Sequence, residues 1–185
     1  MRKADGHRPV SLARRDFLKH ASLTALAAGL GAFPGQGWSV EGDVLRMRSY
    51  NDVSTLDPAM MLSGSEGLIG HAIYLNLVQF KPGDSWDWEL DAAEYFEQID
   101  DTHFAFRLRP GIRFSHGYGE MTADDVKFSL ERIVDPATHS PNAADLGPFS
   151  HLEVNGRHQG VIVLKSPYSA FVPIGLCAAS GFILS

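Results

Sequence analysis

The stretch from Leu90 to Arg132 constrains this chain more than any other, because three local patterns follow one another in it without a gap. After the acidic turn Asp100-Asp101-Thr102, Phe104, Phe106 and Leu108 alternate within His103 to Arg109, which predicts a half-buried strand. Pro110-Gly111 then supplies a fixed φ followed by a residue free to take positive φ, the pair a type II turn requires, and Ile112-Arg113-Phe114 reads as the sheet resuming in a hairpin. Thr122-Ala123-Asp124-Asp125 sets a hydroxyl at a helix N-cap with a carboxylate three residues on, and Met121 and Val126 can close over it as a hydrophobic staple. Val126, Leu130, Ile133 and Val134 share one face of that helix, which Asp135-Pro136 ends.

Elsewhere the signals are shorter. Val44 to Arg48 alternates enough for a strand, and Ser65 can cap a helix with Leu68, Ile69, Ala72, Ile73 and Leu77 on one side. Val78-Gln79-Phe80 leads into a Lys81-Pro82-Gly83-Asp84 turn. Leu152 to Val154 and Val161 to Leu164 flank Asn155-Gly156, a strong hairpin-turn signal. No internal repeat or low-complexity segment interrupts this order, and 44% hydrophobic with 21% charged residues is the composition of a globular chain.

The first forty residues are of another kind. Arg14-Arg15-Asp16-Phe17-Leu18-Lys19 follows a basic start, precedes the apolar run Ala21 to Phe33, and leads to breaks at Pro34-Gly35 and Gly37. This resembles a twin-arginine export signal carried by Arg14, Arg15, Phe17, Leu18 and Lys19, with Ala13 where Ser or Thr is usual. A membrane span needs about 20 apolar residues, and this run is shorter and diluted by Ser22, Thr24, Gly29 and Gly31. The sole cysteine, Cys177, is far from any cleavage point, so the exported product is expected to be soluble and not lipid-anchored. The first forty residues carry a net charge of +4, so without them the formal charge of −6 becomes −10. An acidic body of that kind argues against a nucleic-acid partner.

The order of motifs also resembles the extracytoplasmic solute-binding proteins of peptide-type ABC importers, solute-binding protein family 5. It is carried by Leu56-Asp57-Pro58-Ala59, by Ile73 to Gly83, by Ala93-Glu94-Tyr95-Phe96, by Phe104 to Gly117, by Thr122 to Arg132 and by Pro167-Tyr168-Ser169-Ala170-Phe171. Phe96 stands where the family has Trp, and Ser115-His116-Gly117 where it has His-Asp-Gly. The resemblance implies an α/β, periplasmic binding protein-like fold (type II, two-lobed) of which only the N-terminal part is present. Its expected division is a signal peptide over 1–40, the start of lobe I over 41–60, a small α/β subdomain over 61–148, and a truncated return to lobe I over 149–185. It implies a periplasmic, non-catalytic protein that captures a peptide or similar small solute and delivers it to an inner-membrane ABC permease, after passage through the twin-arginine translocase. The loop from Tyr50 to Asp57 is the implied ligand segment, with Tyr50, Asn51, Asp52 and Ser54 as site residues. The second ligand-gripping lobe is expected beyond Ser185, so the isolated chain is expected to bind no peptide at micromolar affinity. A nickel, metal-complex or sugar-binding member of the family, an exported hydrolase, and a non-functional truncated product are the alternatives.

The residues themselves offer little for catalysis or cofactors. Asp100-Asp101 and Asp124-Asp125 sit where a turn and a helix N-terminus call for carboxylates. Gly117-Tyr118-Gly119 lacks the third glycine of a dinucleotide loop, and Gly64-Ser65-Glu66-Gly67 is one residue short of a nucleophile elbow. His71, His103, His116, His139, His151 and His158 form no pair or cluster at metal-ligand spacing. Trp86 and Trp88 could stack on a ligand but read first as packing residues. No cofactor, catalytic residue or metal ligand is expected.

Overall fold

The computed structural model describes residues 47–83 and 85–185; the expected export signal, from Arg14 to Lys19, and most of the expected strand at Val44 to Arg48 lie outside them. A 3-10 turn at Pro58–Met60 is followed by helix α1 (Gly64–Ile73), strands β1 (Val78–Phe80), β2 (Trp88–Leu90), β3 (Ala93–Gln98) and β4 (His103–Leu108), and helix α2 (Ala123–Val134). Strands β5 (Phe149–Gly156) and β6 (Gln159–Leu164) come next, then a π-helical turn at Phe171–Leu176. β1 and β2 pair alone, and the other four strands form an antiparallel sheet in the order β3-β4-β6-β5.

Period-two alternation decides which face of that sheet is covered. Phe104, Phe106 and Leu108 of β4, Leu152 of β5, and Ile162 and Leu164 of β6 are all buried, and α2 lays Ala123, Val126, Leu130 and Ile133 into the same core. Each such aliphatic or aromatic side chain contributes about 1.5–3 kcal/mol of transfer free energy. The acidic turn acts as expected: Asp100 Oδ1 accepts the amides of Thr102 at 2.7 Å and His103 at 2.9 Å, closing the β3–β4 hairpin. The Thr102 amide foremost, and then the His103 imidazole beside it, hold the Asp100 carboxyl down at about 2.

Three local expectations shift. Gly111 does take positive φ (83°), but Ile112 to Phe114 does not extend the sheet, because both edges of β4 are already taken by β3 and β6. It pairs instead across its own loop, with Phe114 N–H donating to Gly119 O (2.9 Å) and Met121 N–H to Ile112 O (2.8 Å). The second hairpin turns at Arg157-His158, with Asn155 and Gly156 still in β5; a register shift between Val154 and Gly156, and φ 152° at Gly156, absorb the offset. Helix α1 is capped by Ser63, whose hydroxyl accepts Glu66 N–H (3.2 Å), and Ser65 lies inside it. Its packed side is narrow, since Gly70 abuts the ring of Phe182, and this leaves Leu68, Ala72 and Ile73 exposed while Leu77, beyond the helix, is buried. The residue-148 boundary drawn from sequence falls between β4 and β5, two members of one sheet.

The N-terminus of α2 forms a capping box with its roles rearranged. The Asp125 carboxylate accepts both the Thr122 amide (2.7 Å) and the Thr122 hydroxyl (2.8 Å), while the Asp125 amide donates to the Thr122 carbonyl (3.2 Å). Asp125→Ala should therefore lower stability by about 1–2 kcal/mol and Thr122→Ala by about 0.5–1 kcal/mol. Chemical denaturation of the two variants checks the order; a larger loss for Thr122→Ala would return the cap to its hydroxyl.

Candidate functional site

The segment that sequence marks for ligand contact has no regular secondary structure and lies against the start of α1, to which Ser49, Ser54 and Thr55 are hydrogen-bonded. Tyr50, Asn51, Asp52 and Ser54 are all exposed, Tyr50 fully so. Ser49 steadies the first turn by donating its hydroxyl to Asn51 O at 2.7 Å and by a hydrogen bond with the Ser65 hydroxyl.

The base of the loop is fixed by three buried or half-buried groups. Glu66, only 3% exposed, spreads its carboxylate over four backbone amides: Ser54 (3.0 Å) and Thr55 (3.3 Å) on one oxygen, Leu62 (3.0 Å) and Ser63 (3.0 Å) on the other. The Ser63 and Leu62 amides, then those of Ser54 and Thr55, outweigh burial and hold its pKa at about 2. Tyr74, at the end of α1, donates its hydroxyl to Leu56 O at 2.8 Å, and burial pushes that phenol up. Asp57 meets Arg132, in the last turn of α2, in a two-pronged pair at 2.7 and 2.6 Å while also accepting Ala59 N–H at 3.1 Å. The Arg132 guanidinium holds the Asp57 carboxyl below its ordinary range, and Asp57 raises the Arg132 pKa in return.

The next turn is held as firmly. Asn142 Nδ2 donates to Pro58 O (3.1 Å) and Met61 O (2.9 Å), and the Ser140 hydroxyl donates to Ala59 O (2.5 Å). A rigid base and an open tip result. The tip presents a phenol, a carboxamide, a carboxylate and a hydroxyl, which suit hydrogen bonding to a polar solute and include no nucleophile paired with a base.

Of the four expected site residues, Tyr50 lines a pocket of about 360 Å³ together with Arg48 and Ser49. A groove of about 370 Å³ lies elsewhere, walled by Tyr74, Leu75, Ile112, Phe114, Tyr118 and Ile183. Among the described residues no cluster of His, Cys, Asp or Glu could hold a metal ion. His71 packs edge-on against Phe182 at 4.9 Å, and burial lowers its pKa. Trp86 and Trp88 meet Phe80 and Phe96 edge-on, at 5.6 and 5.7 Å, yet both are exposed, Trp86 by 82%, so the expected packing role does not hold for Trp86. Burial pushes the Cys177 thiol up to about 11, far from a reactive thiolate. Among the described residues no helix is long and apolar enough to cross a membrane.

Sequence reasoning missed Glu66, Arg132, Ser140 and Asn142 as supports of this loop. Glu66 carried a readable signal, the Ser63-x-x-Glu66 capping pattern. The other three act across the fold and leave no local trace.

Comparison with known proteins places the chain among relatives. The family model for bacterial extracellular solute-binding proteins, family 5 (middle region), matches residues 87–184. Among solved structures, the binding protein MoaA from A. tumefaciens R10, in complex with mannopinic acid, is 33% identical with a TM-score of 0.66, over 72% of this chain and 27% of that one. DppA from Helicobacter pylori, in complex with the peptide STSA, is 28% identical with a TM-score of 0.61, over 72% of this chain and 29% of that one. The HTH-type transcriptional regulator SgrR of Escherichia coli is 38% identical over 90 residues, 49% of this chain and 16% of its own length. The chain thus spans less than a third of the length of each.

Proposed function

Because the chain belongs to the bacterial extracellular solute-binding proteins of family 5, with the fold of the two-lobed periplasmic binding proteins present in part, we propose that it forms one wall of a solute-capturing site in an ABC importer. The observation that carries this reading is the loop from Tyr50 to Asp57, open at its polar tip and fixed at its base by Glu66, Tyr74 and Arg132. A site of this construction recognises a polar solute without reorganising itself, which favours affinity. Tyr50, Asn51, Asp52 and Ser54 make the contacts, the solute is a peptide or a peptide-sized molecule, and the loaded protein docks on an inner-membrane permease from the periplasm. The small subdomain that begins at residue 61 is best drawn to include β5 and β6, since they complete its sheet.

Titration of the full-length gene product by calorimetry, with the tetrapeptide STSA and with mannopinic acid as probes, tests the site. Asp52→Ala and Asn51→Ala should each weaken the bound probe about tenfold, or about 1.4 kcal/mol. Unchanged affinity in both variants would remove the loop from the site. MoaA's complex with mannopinic acid, at the higher identity of the two, supports a solute other than a peptide, and preference between the probes decides it.

Export through the twin-arginine route is part of the same proposal and rests on Arg14-Arg15. Replacing both by lysine should leave the precursor in the cytoplasm. Cell fractionation that still finds the full amount of product in the periplasm would dismiss that route.

A further inference from the structure

We propose that Glu66 is a positioning residue for solute binding, its carboxylate fixing the shape of the Tyr50 to Asp57 loop on the end of α1. This deepens the loop reading above and rests on it. Glu66 bonds two stretches of chain that are otherwise separate: Ser54 and Thr55 of the loop through Oε1, and Leu62 and Ser63 before the helix through Oε2. It is also nearly sealed from solvent, at 3% exposure, so water offers no substitute partner when one of those bonds is lost. A helix-capping glutamate needs only the amide of its N-cap residue, here Ser63. The two bonds to Ser54 and Thr55 exceed that requirement, and they end at the residue that closes the exposed tip.

The acceptor geometry admits no neutral replacement. All four partners are N–H donors, so a glutamine keeps one oxygen for two of them and turns an NH₂ donor toward the other two. Protonation would do the same, but with the carboxyl held at about 2 the clamp stays set at every pH the site is expected to meet. Ser63 supplies the control, because its side chain accepts from Glu66 N–H and has no bond to the loop. Ser63→Ala removes capping while leaving the loop clamp intact.

Glu66→Gln and Ser63→Ala are made in the full-length gene product and read by hydrogen exchange and by calorimetry with STSA and mannopinic acid. In Glu66→Gln the Ser54 and Thr55 amides should exchange at least about tenfold faster, and the bound probe should weaken by about tenfold or more. Ser63→Ala should lower the melting temperature without either effect, and Glu66→Asp should restore part of the amide protection. Unchanged protection of Ser54 and Thr55 in Glu66→Gln overturns the proposal, and so does lost protection with unchanged affinity. If Asp52→Ala weakens binding and Glu66→Gln does not, the loop reading stands and this one falls. If neither probe binds the wild type, the choice of solute fails, and the exchange rates alone judge the clamp.

Discussion

Replacing Phe171 by alanine should lower the stability of the Arg48–Ser185 unit by about 3–5 kcal/mol. Phe171 is completely buried in the π-helical turn and lies 5.1 Å, centroid to centroid, from Phe104. Phe104 in turn stacks on Phe96 at 6.1 Å, and Phe96 receives the edge of Trp88 at 5.7 Å. The π-helical turn is therefore tied to β4, β3 and β2 by one run of rings, and the cavity left by alanine opens at its inner end. Relaxation is limited, because Asn76 Nδ2 pins the far side of the turn by donating to Leu176 O (2.5 Å) and Ala178 O (3.0 Å). A domain this size has about 5–15 kcal/mol in total, so the variant sits near the edge of folding. The check is a urea titration with Phe171→Leu alongside, which should recover most of the loss. A shift under about 1 kcal/mol for Phe171→Ala would mean that the turn collapses onto the vacancy.

Arg132→Ala should cost about 1.5–3 kcal/mol, more than a surface ion pair and less than a sealed one. Its side chain is 27% exposed and that of Asp57 35%, so solvent screens part of the attraction. The geometry keeps the rest: both guanidinium prongs engage, which lysine cannot reproduce, so Arg132→Lys should recover less than half. A double-mutant cycle with Asp57→Ala should give a coupling of about 1 kcal/mol or more. Additive losses would show that each residue acts alone, Asp57 through the turn it caps. Acid provides a second reading. The folded Asp57 pKa lies below its ordinary 3.8, so the pair's contribution is complete above that value and is lost as pH falls through the folded one. Glu66 and Asp100, both at about 2, have the same sign, so stability should fall between about pH 4.5 and pH 2. Asp91 and Asp145, raised by burial, oppose the trend, because the folded state takes up their protons first. The gap between wild type and Arg132→Ala should narrow over that range.

Wherever the packing residue and its partner surface were encoded in one periodic run, the sequence was readable. The buried set Phe104, Phe106 and Leu108 and the α2 face Val126, Leu130 and Ile133 are of this sort, as is the Asp100 turn. Errors came where a long-range neighbour decided a local choice. Ile112 to Phe114 looks like a strand, but β6, roughly fifty residues on, occupies the edge it would need. Apolar spacing on α1 suggested a buried stripe, while the side that packs is set by Phe182 against Gly70. For the candidate site the exposed tip residues were nameable from sequence, yet the Asp57–Arg132 pair joins two motifs seventy-five positions apart that no local pattern connects.

The sheet order also sets a timetable for the chain as it is made. β3 and β4 are neighbours in sequence and can pair as soon as both are out of the ribosome, whereas β4 must wait for β6 to cover its second edge. At about 5–20 residues per second, the roughly fifty residues between them take several seconds to appear. During that interval a strand bearing Phe104, Phe106 and Leu108 is paired with β3 alone and keeps its other edge open, the condition in which nascent chains associate with one another or engage a chaperone. The β4–β6 pairing is thus the late, committing event, and substitutions such as Val161→Pro that delay it should reduce the yield of folded protein more than they shift its melting temperature.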